Sequence, residues 1–504
     1  MLKKKITLAA FIAALLSMVL LCGCGGSGET GGTEKKSGGL LSFASPKVAF
    51  TQQEVDPETT SLTIVLEPGE TALLDQLPAL TDADLSGSQC VSEIYDWAVA
   101  HPGVRVKYTV TLPGGVTLPN DASTADLSSL LSADAQTAAD CLRALPKVTL
   151  IELGSQRDGF GWDDIALLQA ARPEASINYS FTLYGQEAHL ADVRLDLSYI
   201  AVSDEGEQVR QAMAFMPNLS YLDMDSCGVS NESMASIRDQ YPEVKVVWRV
   251  WFGQNYSVRT DVERILASKP TSGGMLEVGN CESLMYCTDV LYLDIGHNET
   301  LRDISFVGYM TKLKVAILAM ALWSDASCLA NCPDLEYLEL QTTNLKDLTP
   351  LAGLTKLRDL NICNCMELDD ITPLYGLKNL ERLWIGVWDP VPAEQVAAMR
   401  EAVPGCLVNE YAYDPTEGAW RYSTWNEWTY TYGPCERYEE ICKIFGDYQY
   451  KAFSFVWNDP LYRGEPVTPV DDLEGEDESY SEDYSGEDYS GEEDSGEIYE
   501  EPVA

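Results

Sequence analysis

Histidine is almost missing from this chain. Among 504 residues only His101, His189 and His297 supply an imidazole, the side chain most often used as general base and metal ligand near neutral pH. There is no H-E-x-x-H pair, no G-x-S-x-G elbow and no phosphate-cradling glycine loop, so metalloprotease, α/β-hydrolase and nucleotide chemistry have no local support. Carboxylates are the opposite case: in a chain with 79 Asp and Glu, two that could flank a sugar bond carry little information. The sequence therefore assigns no catalytic residue, no metal site and no cofactor, and an extracellular hydrolase stands only as a second alternative. Positive charge is the other shortage. With 34 Lys and Arg the formal net charge is -45, and the basic clusters that phosphate binding requires are missing, which argues against nucleic acid as a partner. Long apolar runs are scarce too: Ile6 to Leu21, behind Lys3, Lys4 and Lys5, is too short and wrongly flanked for a comfortable membrane span.

What is abundant is a recurring leucine phrase. Val290, Leu313, Leu335, Leu357 and Leu380 each begin an apolar L-x-x-L-x-L stretch, in steps of 23, 22, 22 and 23 residues. A period in that range predicts a solenoid, whose units are too small to bury their own apolar faces and must stack. Before Val290 the phrase returns at Leu80, Val148 and Leu219, in steps of 68, 71 and 71, or about three short repeats apiece. Within each long unit a five-residue alternation follows a proline: Val106 to Val110 after Pro102, Ile177 to Phe181 after Pro173, Val246 to Val250 after Pro242. Such alternation predicts a strand, and the stretches before these prolines, such as Trp162 to Ala171 and Glu232 to Tyr241, have helical character. A third landmark, Asp126-Leu-Ser128 and Asp196-Leu-Ser198, degrades to Leu266-Ala-Ser268. The repeat region, 46–410, thus reads as three compound units of about 70 residues, to about 289, followed by about four compact ones.

These phrases resemble the leucine-rich repeats, and from 290 to 387 the bacterial 22-residue, internalin-like type. The resemblance rests on Leu338-x-Leu340 followed by Leu345, Asp347-Leu348 and Pro350-Leu351, and on Leu360-x-Ile362 followed by Leu368, Asp370-Ile371 and Pro373-Leu374. A further copy runs Leu293-x-Ile295, Asn298, Leu301 and Asp303-Ile304. The resemblance implies an α/β leucine-rich-repeat solenoid, with a curved parallel sheet on the concave face and helices or turns on the convex one. It also implies a protein that works through interaction. In the family an asparagine amide satisfies backbone groups where the chain leaves each strand. Asn298 matches that position, whereas Ala321, Thr343 and Cys365 stand there in other copies, and a hydroxyl or thiol does the same only in part.

At the N-terminus, Leu21-Cys22-Gly23-Cys24 resembles a bacterial lipobox, which implies cleavage after Gly23 and a diacylglycerol on the Cys24 thiol. An ordinary secretory signal with a chance cysteine is the alternative. Residues 1–23 are then a lipoprotein signal peptide and 24–45 a lipidated linker. Its Gly25 to Gly39, GGSGETGGTEKKSGG, is a flexible tether reaching roughly 20 Å. Each buried methylene of such an anchor contributes roughly 0.8 kcal/mol. The expected location is the outer side of a bacterial cell membrane. At the other end, Asp471 to Ala504 carries sixteen Asp or Glu and no Lys or Arg, so 466–504 is expected to be a disordered acidic tail. A solvated extension, calcium sequestration and capture of a basic partner are all open readings of it.

Between repeats and tail, 411–465 has another composition, with Trp420, Tyr422, Trp425, Trp428, Tyr430 and Tyr432 close together beside Cys435 and Cys442. One reading is a C-terminal cap over the last coil's apolar cross-section. The other is an exposed platform of Trp420, Trp425 and Trp428 that stacks on sugar faces, which makes a cell-wall glycan the alternative partner. With Cys22 and Cys24 set aside, twelve cysteines remain. Cys281 with Cys287, Cys328 with Cys332 and Cys435 with Cys442 are spaced for disulfides outside the cytoplasm. Cys227, Cys363 and Cys365 stand near turn positions, where a thiol serves as a small buried residue.

In Leu335-Glu-Tyr337-Leu338-Glu339-Leu340-Gln341 the leucines point into the core, so Tyr337, Glu339 and Gln341 face the other side of the strand. Stacking predicts two columns on the concave sheet: Tyr221, Tyr292, Val315, Tyr337, Asp359, Arg382, and Asp223, Asp294, Ile317, Glu339, Asn361, Trp384. Tyrosines beside carboxylates give contact area under negative potential. The ligand-binding positions expected are therefore Tyr221, Asp223, Tyr292, Asp294, Tyr337, Glu339, Asn361, Arg382 and Trp384. An ordinary soluble sheet face would look the same, because tyrosine is a good strand former. The functional expectation is a surface-anchored, non-enzymatic protein that holds a protein or peptide, basic in character, on its concave face.

Overall fold

The computed structural model describes residues 46–253, 256–268, 276–413, 420–426 and 431–445. The expected signal peptide, lipidated linker and acidic tail lie outside them, as does Trp428. Two units are built, Met1–Tyr108 and Thr109–Ala504. In the first, Ser61–Thr63, Asp82–Asp84 and Arg105–Lys107 form a parallel sheet in which Leu62 pairs with Ala83 and Ala83 with Val106. The helix Val91–Ala100 turns Ile94 and Trp97 inward between the second and third strands.

The second unit runs the same plan at greater length. Thr124–Asp126, Leu150–Ser155 and Ser176–Leu183 form one parallel sheet, and Arg194–Asp196, Tyr221–Asp223 and Lys245–Val247 a second. A third has seven strands: Arg264–Leu266, Tyr292–Asp294, Val315–Ile317, Tyr337–Glu339, Asp359–Asn361, Arg382–Gly386 and Leu407–Ala412. An antiparallel hairpin, Thr109–Thr111 with Thr117–Pro119, opens the unit, and two more follow the first two sheets. One joins Ser180–Leu183 to Gln186–His189, the other Arg249–Phe252 to Tyr256–Arg259. The five-residue alternations of the sequence are where these pairings meet. Ser176–Leu183 is one strand, parallel in its first half and hairpin in its second, whereas buried Trp248 separates Lys245–Val247 from Arg249–Phe252.

Leu293, Ala316, Leu338, Leu360 and Leu383 share one register across the long sheet and expose no surface. The phrase leucines Leu313, Leu335 and Leu357 are equally buried. At about 1.5–3 kcal/mol for each fully buried large apolar side chain, this column is the main driving force for stacking. Both α-helices and 3-10 turns close the repeats, and coil length alone does not choose between them: the 3-10 turn Glu282–Tyr286 lies between strands that begin at Arg264 and Tyr292, and the α-helix Val91–Ala100 between those that begin at Asp82 and Arg105. Where strands begin 24 to 27 residues apart, an α-helix fits: Ala135–Arg143, Trp162–Ala171, Glu207–Met213, Asn231–Gln240 and Ala393–Ala402. In the long sheet, where the step is 22 or 23, a 3-10 turn serves instead: Ser305–Tyr309, Ser327–Asn331, Thr349–Leu351 and Thr372–Gly376. A carboxylate opens each of these turns, as Asp303, Asp325, Asp347 and Asp370 accept from the N–H two residues on, at 2.8 to 2.9 Å.

The asparagine position behaves as the resemblance implies. Buried Asn298 donates from Nδ2 to the carbonyls of Ala267 at 3.0 Å and Ile295 at 2.7 Å, and its Oδ1 accepts from the Leu276 N–H at 2.8 Å. In the coils that lack it, the Thr343 hydroxyl donates to the Leu340 carbonyl at 2.8 Å and the Cys365 thiol reaches the same oxygen at 3.5 Å. At Ala321 the role passes to the Trp323 indole, which donates to the Leu318 carbonyl at 2.9 Å. Asn298→Ala strands one buried N–H and two carbonyls and is expected to cost about 2 kcal/mol, against about 1 kcal/mol for Thr343→Ala, which loses the Leu340 bond and a weaker contact with the Cys365 thiol at 3.6 Å. Urea unfolding of both variants checks this; equal losses would remove the asparagine's special role. All twelve cysteines are free thiols, so none of the pairs spaced for disulfides is bridged. Burial pushes the Cys281 and Cys365 thiols up to about 12, which makes them packing groups.

Candidate functional site

Strand pairing sets the expected columns side by side in the long sheet. Tyr292, Val315, Tyr337, Asp359 and Arg382 are register partners in turn, and so are Asp294, Ile317, Glu339, Asn361 and Trp384. Tyr221 and Asp223 do not continue them. They belong to the preceding sheet, where Arg194 and Lys245 flank Tyr221, and Asp196 and Val247 flank Asp223. Each long sequence unit carries three parallel-sheet strands besides its hairpin, and only one of the three has a complete leucine phrase.

The expectation that these positions form an open surface is corrected by the structure. Tyr337, Glu339, Asn361 and Trp384 are 0 to 2% exposed, Asp294 is 2% and Asp223 is 8%; Tyr221, Tyr292 and Arg382 are half-buried. What covers the long sheet is Trp420, Arg421 and the helix Glu436–Ile444, from outside the repeats. Both oxygens of Glu339 are occupied. Oε1 accepts from the Tyr337 hydroxyl, from Trp420 Nε1 at 2.8 Å and from Arg421 Nε at 3.1 Å; Oε2 accepts from Gln341 Nε2 at 2.9 Å and from the other arm of the Arg421 guanidinium. Burial alone would push this carboxyl up, but the Arg421 charge and the surrounding donors outweigh it and hold it down at about 2. The Trp420 ring lies 5.4 Å from Tyr337 and 5.3 Å from Trp384, with the Arg382 guanidinium 4.5 Å from its centroid.

Further along, Asp359 takes Arg382 Nε at 2.5 Å and Arg437 Nε at 3.3 Å, while Arg437 also reaches Glu381 at 2.7 Å. Arg264 donates to the Ile444 carbonyl at 3.1 Å, so the covering segment extends from the strand at Arg382 to the strand at Arg264. Trp420, expected either in an end cap or on an open platform, is in neither: it is completely buried on the sheet face. Among described aromatics, the exposed neighbours are Trp388 and Tyr413, 6.2 Å apart edge to face.

The preceding sheet is closed by the same chemistry from a different insertion. Arg249 and Arg259 stand on the hairpin Arg249–Phe252 and Tyr256–Arg259. Arg249 grips both oxygens of buried Asp225 at 2.8 Å, and Arg259 reaches Asp223 at 3.0 Å, Asp261 at 3.0 Å and the Tyr221 hydroxyl at 2.9 Å. Sequence reasoning missed these arginines, together with Arg421 and Arg437. No local pattern marks them, because the sheet carboxylates they meet lie 24 to 82 residues away. Earlier strands stay open: Asp126, Asn178 and Asp196 are exposed and Glu152 is half-buried, with Asn178 donating to Glu152 at 2.7 Å.

Among the described residues no group of three or more His, Cys, Asp or Glu could hold a metal. A hollow of about 560 Å³ lined by Arg302, Asp303, Asp325, Ser327 and Cys328 offers no activated nucleophile, because burial pushes the Cys328 thiol up to about 12. The arrangement on the sheet face is one of charge matching and aromatic packing.

No protein-family model matches the chain, and no curated protein does either. Solved structures do. An internalin from Listeria monocytogenes is 17% identical over 72% of this chain and 91% of its own, with a TM-score of 0.25. A leucine-rich-repeat protein of Leptospira interrogans is 14% identical over 68% of this chain and 92% of its own, at 0.26. The assignment is carried by the chain's own geometry: parallel strands one coil apart in register, a buried leucine column, a 22- to 23-residue step and an asparagine at the turn. By these marks the chain folds as a leucine-rich-repeat solenoid.

Proposed function

We propose that this is a surface-tethered, non-enzymatic binding protein whose concave sheet face holds a protein or peptide segment carrying basic residues. The observation that supports this reading is Glu339: a sheet carboxylate that takes the guanidinium of Arg421 and the indole of Trp420, both from outside the repeats. A face able to dehydrate an aromatic and an arginine from one short stretch has the chemistry of a peptide groove, because charge-assisted bonds fix register and the ring supplies contact area. A lipid on Cys24 would keep that face just outside the membrane, and Cys24→Ser should then move the protein out of the membrane fraction.

To test the binding role, the lipid-free ectodomain, 40–463, would be offered a displayed library of random peptides. Sequences with Arg or Lys beside an aromatic residue should be enriched. Enrichment should fall at least about tenfold, near 1.4 kcal/mol, with Asp126→Asn, Glu152→Gln and Asp196→Asn on the open strands, or with Tyr337→Ala and Glu339→Lys on the covered ones. No enrichment, or undiminished enrichment on both folded variants, would remove the concave-face reading.

A further inference from the structure

We infer that the segment carrying Trp420, Arg421 and the helix Glu436–Ile444 is an intramolecular ligand, seated where the external one binds, and that the external partner presents an aromatic side chain followed by arginine. This rests on the binding role above and deepens it.

The reason begins with what the segment is joined to. The described polar contacts that tie it to the repeats run through concave-face groups and the exposed Glu381 at their edge: Trp420 and Arg421 to Glu339, Arg437 to Asp359 and Glu381, and the Ile444 and Trp420 carbonyls to Arg264 and Arg382. The leucine column lies on the opposite side of each strand, since Leu338 and Leu360 alternate with Tyr337, Glu339, Asp359 and Asn361. Lifting the segment therefore wets the sheet face and leaves the core of the coils packed.

The energetics favour exchange. A buried ion pair gains in Coulomb energy about what its two partners lose in desolvation, so it is specific without being tight. An incoming Arg that replaces Arg421 on Glu339 makes the same bonds, and an incoming ring replaces Trp420 between Tyr337 and Trp384. The tethered segment also leaves one group unsatisfied. Gln341 is 3% exposed and its Nε2 is spent on Glu339, but its Oε1 has no hydrogen-bond partner among the described residues. A ligand with one further N–H beside its arginine would fill that acceptor, an advantage the chain's own segment does not have. Holding the groove closed by a tethered competitor lowers the apparent affinity by the fraction of open molecules, and removing the competitor restores it.

The probe is a blocked peptide of the chain's own sequence, Gly418 to Ser423 (GAWRYS), fluorescently labelled. It would be titrated against three forms of the lipid-free ectodomain: unaltered, Trp420→Ala with Arg421→Ala, and a form with an engineered protease site replacing 414–419, cut and washed. The cut form keeps every sheet residue, so it remains informative where the double variant fails to fold. Binding should be at least about tenfold tighter to the opened forms than to the unaltered one. Hydrogen exchange in Glu436–Ile444 should speed up when saturating probe is added to the unaltered protein. Equal binding to closed and opened forms, or no binding to a folded opened form, overturns the inference. Retention of the cut segment against excess probe overturns it as well. A shift to dimers that exchange the segment between copies would replace the intramolecular ligand with a second molecule and so also overturn it. Failure of GAWRYS alone leaves library-selected ligands standing; failure of both removes the underlying binding role.

Discussion

Replacing Arg249 with methionine is expected to lower the stability of the second unit by about 3–5 kcal/mol, the range for breaking a buried ion pair from one side. Asp225 exposes nothing, and Arg249 holds both of its oxygens at 2.8 Å. Once Arg249 is gone the carboxylate keeps the Ser226 hydroxyl at 2.8 Å and Arg259 at 3.4 Å, too little for a charge so deeply buried. Burial raises this carboxyl while Arg249 and Ser226 hold it below the usual range in the balance. Its contribution is thus present at neutral pH and fades only as pH falls through the lowered value. A second substitution separates the cost of a stranded charge from the worth of the pair. Asp225→Leu with Arg249→Met removes both charges and should recover most of the loss, because well-packed apolar replacements of a buried pair are often neutral. Urea unfolding of residues 40–463, followed by tryptophan fluorescence, measures all three forms. If the double substitution falls as far as the single one, the pair has value of its own beyond mutual compensation.

The coil architecture was legible because it is written locally. Leu335-Glu-Tyr-Leu338-Glu-Leu340 specifies a strand, its inward face and its neighbours' register within six residues, and stacking at a 22-residue step does the rest. The long units were half legible. Arg105-Val-Lys107 and Ser176-Ile-Asn178 are strands of the same kind, but each offers a single inward apolar residue between polar ones, so the phrase is lost. The hairpins that follow blur it further by extending the alternation past the parallel pairing. The state of the sheet face was not legible at all. Glu339 and Arg421 lie 82 residues apart, and no period or propensity relates them. A carboxylate column reads the same in sequence whether water or an arginine faces it. Only the pairing of residues distant along the chain turned an expected open surface into an occupied one.

Asp294 sets the other large effect, and it runs opposite in sign to Asp225. Burial drives its carboxyl up to about 7; the Gly296 N–H at 2.9 Å and the charge of Arg421 pull it back in part, and Glu339 pushes it up again. Unfolded, the group ionises near 3.8. Between those values the folded chain keeps a proton the unfolded chain has released, so stability is full below about pH 4, declines as pH rises and levels off above about pH 7. At about 1.36 kcal/mol per pH unit the decline totals roughly 4 kcal/mol. Asp294→Asn keeps the shape and the acceptor for Gly296 but does not titrate. The stability of the native chain relative to this variant should therefore fall by that amount between pH 4 and pH 8, and other titrating groups cancel in the difference. Urea midpoints for both proteins across that range test it. A flat difference would mean that Asp294 ionises freely, hence that water reaches this stretch of the sheet and the covering segment does not seal it. A slope of the expected size would make closure of the groove itself sensitive to pH, because the charge that most eases ionisation of Asp294 is Arg421, carried on the segment that must leave for an external ligand to enter.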